Sequence, residues 1–318
     1  MPQAQPDRGR ADPSPEALQE FLTGLAAEIH ARADWGKVAD YIPELADVEL
    51  AQFGIAVQLA DGSLCHAGAS QVGFSIQSIS KVFSLSCVLG RIGEQIWQRV
   101  GREPSGSRFD SILLLELEKG IPRNPFINAG ALVVTDELLT GRTPRDALAE
   151  IIHFIRAAAG DDAIHIDRAV AMSEQATGDR NRALGNYLKS YGNLKNPVDY
   201  TLGTYFHQCA IEMDCLQLAR AGRVIAGLPG APAILAPARA RRITALMLTC
   251  GHYDESGDFA FRVGLPGKSG VGGGILMVAP GRASIAIWSP GLNATGNSRA
   301  GAYAAEKLAE FTGWSVFG

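Results

Sequence analysis

Residues 74–83 read Phe-Ser-Ile-Gln-Ser-Ile-Ser-Lys-Val-Phe and place a serine, Ser78, three residues before Lys81. No glycine or proline follows Ser78 until Gly90, which predicts a helix from Ser78 to Arg91. Residues three apart on a helix share a face, so the lysine amine can reach the serine hydroxyl. The apolar flanks predict burial, which lowers a lysine pKa and favours the neutral amine that can accept a proton. This stretch therefore predicts a serine nucleophile activated by a lysine.

The same spacing also has a plainer interpretation, because Ser-x-x-Lys arises often by chance. Ser75 or Ser78 could cap the start of a helix, with Lys81 exposed to solvent. The apolar neighbours of Lys81 argue against an exposed position.

A second motif reads Lys-Ser-Gly-Val-Gly-Gly-Gly at 268–274, just before a predicted strand. Its glycines permit a backbone to approach a ligand closely, although such a run can also be a turn that holds no ligand. A Ser-x-x-Lys helix followed by a Lys-Ser-Gly strand is typical of the serine β-lactamases and penicillin-binding proteins. The sequence between the motifs contains no Ser-Asp-Asn, which argues against a β-lactamase in the strict sense.

Hydrophobic periodicity predicts an α/β (α+β) fold in which an antiparallel sheet is flanked by helices, beside a helical lobe. Helices are predicted at 16–32, 78–91, 127–140, 144–158, 167–174, 179–190, 198–208, 212–226, 237–248 and 297–311. Strands are predicted at 53–59, 63–67, 259–263, 274–278 and 283–288. We expect a mobile N-terminal tail (1–14) and a single catalytic domain (15–318), whose sheet part spans about 36–95 and 255–318 and whose helical lobe spans about 96–254.

The composition is that of a globular chain, with 318 residues, 47% hydrophobic residues and a formal net charge of -4. This charge predicts no nucleic-acid partner, and no apolar run is long enough to span a bilayer. The N-terminus lacks the apolar segment of a secretory signal. Five dispersed cysteines predict reduced thiols in a cytoplasmic protein, and the histidine spacing predicts no metal site.

With these motifs in view, the chain closely resembles the serine-dependent glutaminase family, which has a β-lactamase-like fold. The resemblance runs from about Gly36 to Phe311 and covers four long motifs, at 36–46, 74–83, 123–131 and 264–274. Members of that family hydrolyse L-glutamine to L-glutamate and ammonia and self-associate. The resemblance therefore implies L-glutamine as substrate, no cofactor, and a homodimer or homotetramer.

The resemblance also implies roles for individual residues, which all match the family pattern. It implies Ser78 as nucleophile and Lys81 as its activating partner, and it implies Tyr41 and Tyr253 as active-site tyrosines. The substrate-binding positions that it implies, besides Ser78 and Tyr253, are Asn128, Glu174, Asn181, Tyr205 and Val271.

The chemistry of L-glutamine fits these residue types. A carboxylate at Glu174 can pair with the α-ammonium, and the amides and the hydroxyl of Asn128, Asn181 and Tyr205 can donate to the α-carboxylate. The backbone N–H groups of Ser78 and Val271 would stabilise the oxyanion. Lys81, Tyr41 and Tyr253 all remain candidates for the base in each step.

Without the family, several of these residues have ordinary interpretations. Glu174 could be a surface or capping carboxylate, Asn128 a helix cap, and the tyrosines packing residues. Two other functions compete with glutamine hydrolysis. One is another serine hydrolase of the β-lactamase-like fold, and the other is an inactive amino-acid-binding protein that keeps the pocket.

Overall fold

The computed structural model describes residues 12–32, 34–40, 42–106 and 108–318. These residues form eight strands: β1 Gly54–Leu59, β2 Leu64–Gly68, β3 Phe74–Ser75, β4 His165–Ile166, β5 Ile211–Met213, β6 Gly267–Ser269, β7 Gly274–Ala279 and β8 Ala283–Trp288. Thirteen α-helices are assigned within these residues: α1 Pro15–His30, α2 Pro43–Ala46, α3 Ser80–Ile92, α4 Leu113–Leu117, α5 Asn128–Leu138, α6 Pro144–Ala159, α7 Arg168–Thr177, α8 Asp179–Ser190, α9 Val198–Cys209, α10 Cys215–Ala226, α11 Pro237–Cys250, α12 Ser256–Arg262 and α13 Arg299–Thr312.

The main sheet has five antiparallel strands in the order β2-β1-β8-β7-β6. Every residue of β1, β7 and β8 is buried, because helices cover both faces of the sheet. Successive side chains of β1 point to opposite faces, so Ile55 and Val57 pack with α1 and α13 whereas Ala56 packs toward α10 and the lobe. The predicted antiparallel sheet flanked by helices is confirmed.

A second, small sheet links the nucleophile motif to the helical lobe. Strand β5 pairs with both β3 and β4, and Phe74 lies opposite Met213. Because β3 directly precedes Ser78, this pairing fixes the start of the predicted nucleophile turn against the lobe. None of these short strands is long enough to show a period in the sequence.

Most predicted elements are confirmed with small boundary shifts, but the predicted strand at 259–263 is wrong. Residues Ser256–Arg262 form α12, in which Phe259 is buried against His252 and Phe261 is exposed. One buried and one exposed aromatic ring fit a helix turn as well as a strand, and the segment is too short for its period to decide. The strand at the sheet edge is instead β6, which carries the Lys-Ser-Gly motif.

The N-terminal tail predicted at 1–14 lies largely outside the described residues, which begin at Asp12. The Asp12 carboxylate accepts hydrogen bonds from Arg282 and from the indole of Trp314, at 2.7 and 2.8 Å. Ser14 then caps α1 by accepting from the Ala17 N–H.

Candidate active site

Ser78 lies in a 3₁₀ turn, Gln77–Ile79, that joins β3 to α3, so it precedes the α-helix in which it was predicted to lie. The residue before it, Gln77, has φ +49°. This left-handed backbone costs a non-glycine residue about 1–3 kcal/mol and is commonest at functional sites. The turn presents Ser78 at the wall of a cavity of about 310 Å³.

The glycine-rich motif packs directly on this turn. A Cβ atom added to Gly270 would lie 2.6 Å from the Ile76 carbonyl oxygen, and one added to Gly272 would lie 2.5 Å from the Ser75 oxygen. Any side chain at these two positions would push the nucleophile turn away. Val271, between them, faces the cavity together with Ser78.

We therefore expect Gly270→Ala to destabilise the protein by at least about 1–3 kcal/mol, the usual cost of overpacking. Turnover should also fall, because the added methyl group displaces the turn that carries Ser78. Gly203→Ala is the matched control, since nothing lies within 4 Å of its added Cβ and its helix should gain about 0.5–1 kcal/mol. Urea unfolding measures both changes, and equal stability of the two variants would contradict the close packing at Gly270.

Lys81 is completely buried in the first turn of α3. Its Nζ donates to the Asn128 side-chain oxygen at 2.8 Å and to the Phe126 carbonyl oxygen at 3.2 Å. Burial lowers the pKa of Lys81 to about 8, so the neutral amine is accessible near neutral pH.

Three lobe residues meet around the Asn128 amide, which begins α5. The Tyr205 hydroxyl, from α9, donates to the Asn128 oxygen at 3.2 Å. The Asn128 amide group donates to the Asn181 oxygen, from α8, at 2.9 Å. A hydrogen-bonded chain therefore runs from Lys81 through Asn128 to Asn181 along the cavity.

Glu174 projects from α7 and is buried. One carboxylate oxygen accepts a hydrogen bond from the Gln77 amide at 2.7 Å. Burial raises the pKa of Glu174 to about 8, partly offset by this hydrogen bond and by the charge of Lys81. An α-ammonium group entering the cavity would supply the counter-charge that the buried carboxylate needs.

Tyr253 is buried at the start of a 3₁₀ turn and has φ +54°. Its hydroxyl interacts with Ser78 and lies 3.5 Å from the Ser269 carbonyl oxygen, and its ring packs on Phe109 at 4.7 Å. Burial raises the pKa of Tyr253 to about 12, against the effect of the Ser78 and Ser269 contacts, so the hydroxyl keeps its proton at neutral pH. The other tyrosine named from the sequence, Tyr41, lies outside the described residues.

The structure brings the described site residues together around one cavity. Its wall includes six of the predicted residues: Ser78, Asn128, Glu174, Asn181, Tyr205 and Val271. Lys81 and Tyr253 touch this wall through Asn128 and Ser78 respectively.

Sequence reasoning missed several residues at this cavity. Gln77 adjoins the nucleophile, but glutamine is not a usual catalytic type, and only its position within the 74–83 motif could have indicated it. Asp110, which pairs with Arg180 at 3.2 Å and with Arg108 at 3.1 Å, gave no pattern in the sequence.

Within the described residues, no group of three or more His, Cys, Asp or Glu side chains could hold a metal ion. All five cysteines are buried free thiols. A search of the described helices found none with the length and apolar content required to cross a membrane.

Comparison with known proteins gives a consistent result. The family model of the glutaminases matches residues 36–317. A glutaminase of Rhodopseudomonas palustris (strain BisB18) is 62% identical over 305 residues, which are 95% of this chain and 99% of the relative. A glutaminase of Agrobacterium fabrum (strain C58) is 63% identical with the same coverage.

Solved structures agree with the sequence relatives. The probable glutaminase ybaS has a TM-score of 0.90 and 35% identity, over 94% of this chain and 98% of its own. Mglu in its L-glutamate binding form has a TM-score of 0.88 and 35% identity, over 95% of this chain and 68% of its own. These matches confirm the predicted β-lactamase-like fold, and they show that the chain belongs to the glutaminase family.

Proposed function

We propose that this glutaminase hydrolyses the side-chain amide of L-glutamine to L-glutamate and ammonia through a covalent ester on Ser78. The observation that carries the proposal is one cavity in which a serine in a strained turn faces a buried carboxylate and two side-chain amides. A neighbour of the same fold, Mglu, is known in an L-glutamate binding form, which fits the product of this reaction.

Glu174 supports binding of the α-ammonium, because a buried carboxylate is stabilised most by a cation that replaces its lost water. Asn128 and Asn181 each carry two amide N–H donors at the same cavity, and the Tyr205 hydroxyl can turn from the Asn128 oxygen to join them, which suits the α-carboxylate. With the head group fixed at this end, the substrate's side-chain amide extends toward Ser78. This positioning converts an encounter in solution into a reaction within one complex.

In the first chemical step, the Ser78 oxygen forms a bond to the amide carbon while its proton passes to neutral Lys81. The C–N bond then breaks, and the Tyr253 hydroxyl donates a proton to the departing nitrogen and is reprotonated from Lys81. Lys81 is assigned as the base because a pKa near 8 leaves part of its amine neutral at pH 7, whereas a phenol with a pKa near 12 keeps its proton and can act only as a donor. Water then attacks the ester carbon while Lys81 takes one of its protons; the C–O bond to Ser78 breaks, Lys81 returns the proton to the Ser78 oxygen, and L-glutamate is released.

Oxyanion stabilisation is proposed for the backbone N–H groups of Ser78 and Val271. Support comes from the packing of Gly270 and Gly272 on the nucleophile turn, which sets the intervening Val271 beside Ser78 at the cavity. Loss of one such donor typically costs about 10²–10³ in turnover.

A test with substrate analogues separates this function from its competitors. Purified protein should release equimolar ammonia and L-glutamate from L-glutamine, and much less ammonia from L-asparagine, whose amide falls one methylene short of Ser78. Stable acylation by a penicillin with no ammonia from L-glutamine would instead favour another serine hydrolase of this fold. Thermal stabilisation by L-glutamine without turnover would favour a binding protein.

The pH dependence of kcat/KM gives a further expected result. Activity requires Lys81 neutral and Glu174 ionised, and both pKa values lie near 8, so kcat/KM should rise with pH up to about 8. Because both groups must lose a proton before the enzyme is active, the rise should be steeper than a single ionisation allows.

Glu174→Gln should make this acidic limb a single ionisation and raise KM about 10–100-fold, since hydrogen bonds to charged groups contribute about 1.5–3 kcal/mol. The exposed Glu20→Gln is the control and should keep the wild-type profile. An unchanged KM in Glu174→Gln would show that this carboxylate does not bind the substrate's α-ammonium group.

We also propose that residues 15–318 act as one catalytic domain with the sheet part and helical lobe given above, in the cytoplasm, as a homodimer or homotetramer. Five buried free thiols fit a reducing compartment. Leu113 and Leu117 on α4 are 66% and 69% exposed, and apolar side chains of this kind are common at subunit contacts. Light scattering measures the assembly directly, and a monomer at micromolar concentration would contradict the oligomer.

A further inference from the structure

A second buried lysine, Lys268, lies behind the site and has no part in the steps above. It belongs to β6 and is completely inaccessible to solvent. Its Nζ donates to the Gly251 carbonyl oxygen at 3.0 Å and to the Ser269 carbonyl oxygen at 2.5 Å. The same Nζ lies 4.5 Å from the centre of the Tyr253 ring.

Burying an amine in this way is costly unless the group is well paired. Among the described residues no carboxylate forms an ion pair with Lys268; two carbonyl oxygens and an aromatic face take that place. Burial, together with the nearby charge of Lys81, lowers the pKa of Lys268 well below its usual value. A lysine that is buried despite this unfavourable free energy is expected to hold neighbouring groups of the site in a required arrangement.

Lys268 binds two carbonyl groups, one just before Tyr253 in the chain and one beside the Tyr253 hydroxyl. Gly251 precedes Tyr253 by two residues, and its carbonyl oxygen also accepts from the Ser269 N–H at 3.1 Å and from the Ser269 hydroxyl at 3.3 Å. The Ser269 carbonyl oxygen in turn lies 3.5 Å from the Tyr253 hydroxyl, as an acceptor for its proton. Lys268 therefore links the Gly251 carbonyl group, which precedes Tyr253 in the chain, to the Ser269 carbonyl group, which lies beside the Tyr253 hydroxyl.

Tyr253 needs such support because its backbone is strained. A bulky residue at φ +54° persists only where its surroundings impose that conformation. Phe109 covers one part of the ring, and the Lys268 Nζ lies against the ring from β6. Without the lysine, the ring could move and its hydroxyl would no longer be held against Ser78.

We propose that Lys268 is a positioning residue that holds the Tyr253 hydroxyl against Ser78 and so supports turnover of bound substrate rather than substrate binding. The inference rests on the proposed roles of Ser78 and Tyr253. It predicts a separation of kinetic constants, because the head-group ligands Glu174 and Asn181 lie on the lobe and make no contact with Lys268 among those described.

The test compares Lys268→Met, Tyr253→Phe and the double variant, in ammonia release from L-glutamine. Methionine keeps the length of the side chain but donates no hydrogen bond. We expect kcat to fall about 10²-fold in Lys268→Met, the usual cost of a misplacement near 1 Å, with KM within about 3-fold of wild type. The double variant should be no slower than the slower single variant, because both changes remove one function.

Lys189→Met is the matched control, since Lys189 Nζ also donates to backbone carbonyl oxygens, at 3.1–3.2 Å, but at the far end of α8. It should keep wild-type kcat and KM. If Lys268→Met does not fold, Lys268→Gln replaces it. Glutamine keeps a donor but is shorter than lysine and cannot reach both carbonyl oxygens, so kcat should still fall with KM retained.

Several results would overturn the proposal: a wild-type kcat in Lys268→Met, a loss confined to KM, or effects that multiply in the double variant. Failure of the proposed function is a separate outcome, seen as absent ammonia release in wild type or as full activity in Ser78→Ala. Full activity in Tyr253→Phe would contradict the proposed role of Tyr253 in proton transfer, and with it the proposed role of Lys268 in positioning Tyr253.

Discussion

Ser78→Ala is expected to lower ammonia release from L-glutamine by about 10⁴-fold or more, as loss of a covalent nucleophile does in other hydrolases. Alanine cannot form the ester through which the reaction runs, and no other nucleophile among the described residues shares the strained turn at Gln77–Ile79. The residual rate comes from binding and oxyanion stabilisation alone. Coupled detection of L-glutamate and ammonia measures both products of one turnover.

Binding should survive this substitution, because Glu174 and Asn181 approach the head group from the lobe. Calorimetry with L-glutamate should therefore give nearly the same Kd for Ser78→Ala and wild type. Ser86→Ala is the control for loss of a buried hydroxyl in the adjacent helix, since Ser86 donates only to the Val82 carbonyl oxygen at 2.8 Å. Substantial ammonia release by Ser78→Ala would exclude the covalent serine mechanism.

The fold was predictable where a period or a turn signal extends over several residues. The runs at 274–278 and 283–288 are almost entirely apolar, with two β-branched residues each, and both form interior strands of the main sheet. The aromatic and β-branched residues of the segment 259–263 also favour a strand, but the segment includes the charged Arg262, and residues 256–262 form α12 with Phe259 packed on His252. Tertiary packing therefore overrode local propensity where the segment was short.

The site was predictable in its residue types but not in its geometry. Spacing placed Lys81 near Ser78, and the resemblance supplied the lobe residues, yet neither shows that the Lys81 amine donates to Asn128. The roles of Gln77 and Lys268 depend on a left-handed backbone and on burial by distant segments. Both properties are set by tertiary contacts that a single sequence does not display.

The two buried lysines divide the site into two parts. Lys81 joins the nucleophile helix to the lobe through Asn128, where the substrate head group is proposed to bind. Lys268 joins β6 to the turn that carries Tyr253. Substrate binding and proton delivery thus rest on different elements, so substitutions in the two parts should affect different kinetic constants.

Lys81→Met tests the proposed base and carries the second large expected effect. Methionine fills the buried space but cannot accept the Ser78 proton, so kcat should fall about 10³-fold, within the usual range for a general base. The Asn128 oxygen would lose one donor and keep the Tyr205 hydroxyl at 3.2 Å, so the cavity wall should persist. Thermal unfolding of the variant, with and without L-glutamate, checks that it does.

The pH profile of Lys81→Met separates this role from a structural one. If Lys81 is the base, its ionisation disappears from the profile, and the remaining activity should follow Glu174 alone, with its pKa raised further because the charge of Lys81 no longer lowers it. Lys307→Met, at a half-buried lysine that pairs with Glu310 on α13, should leave rate and profile unchanged. The proposed base would be wrong if Lys81→Met kept kcat within about 10-fold of wild type and an unaltered acidic limb, because so small a loss lies below the usual contribution of a general base. Proton transfer would then be assigned to Tyr253 instead.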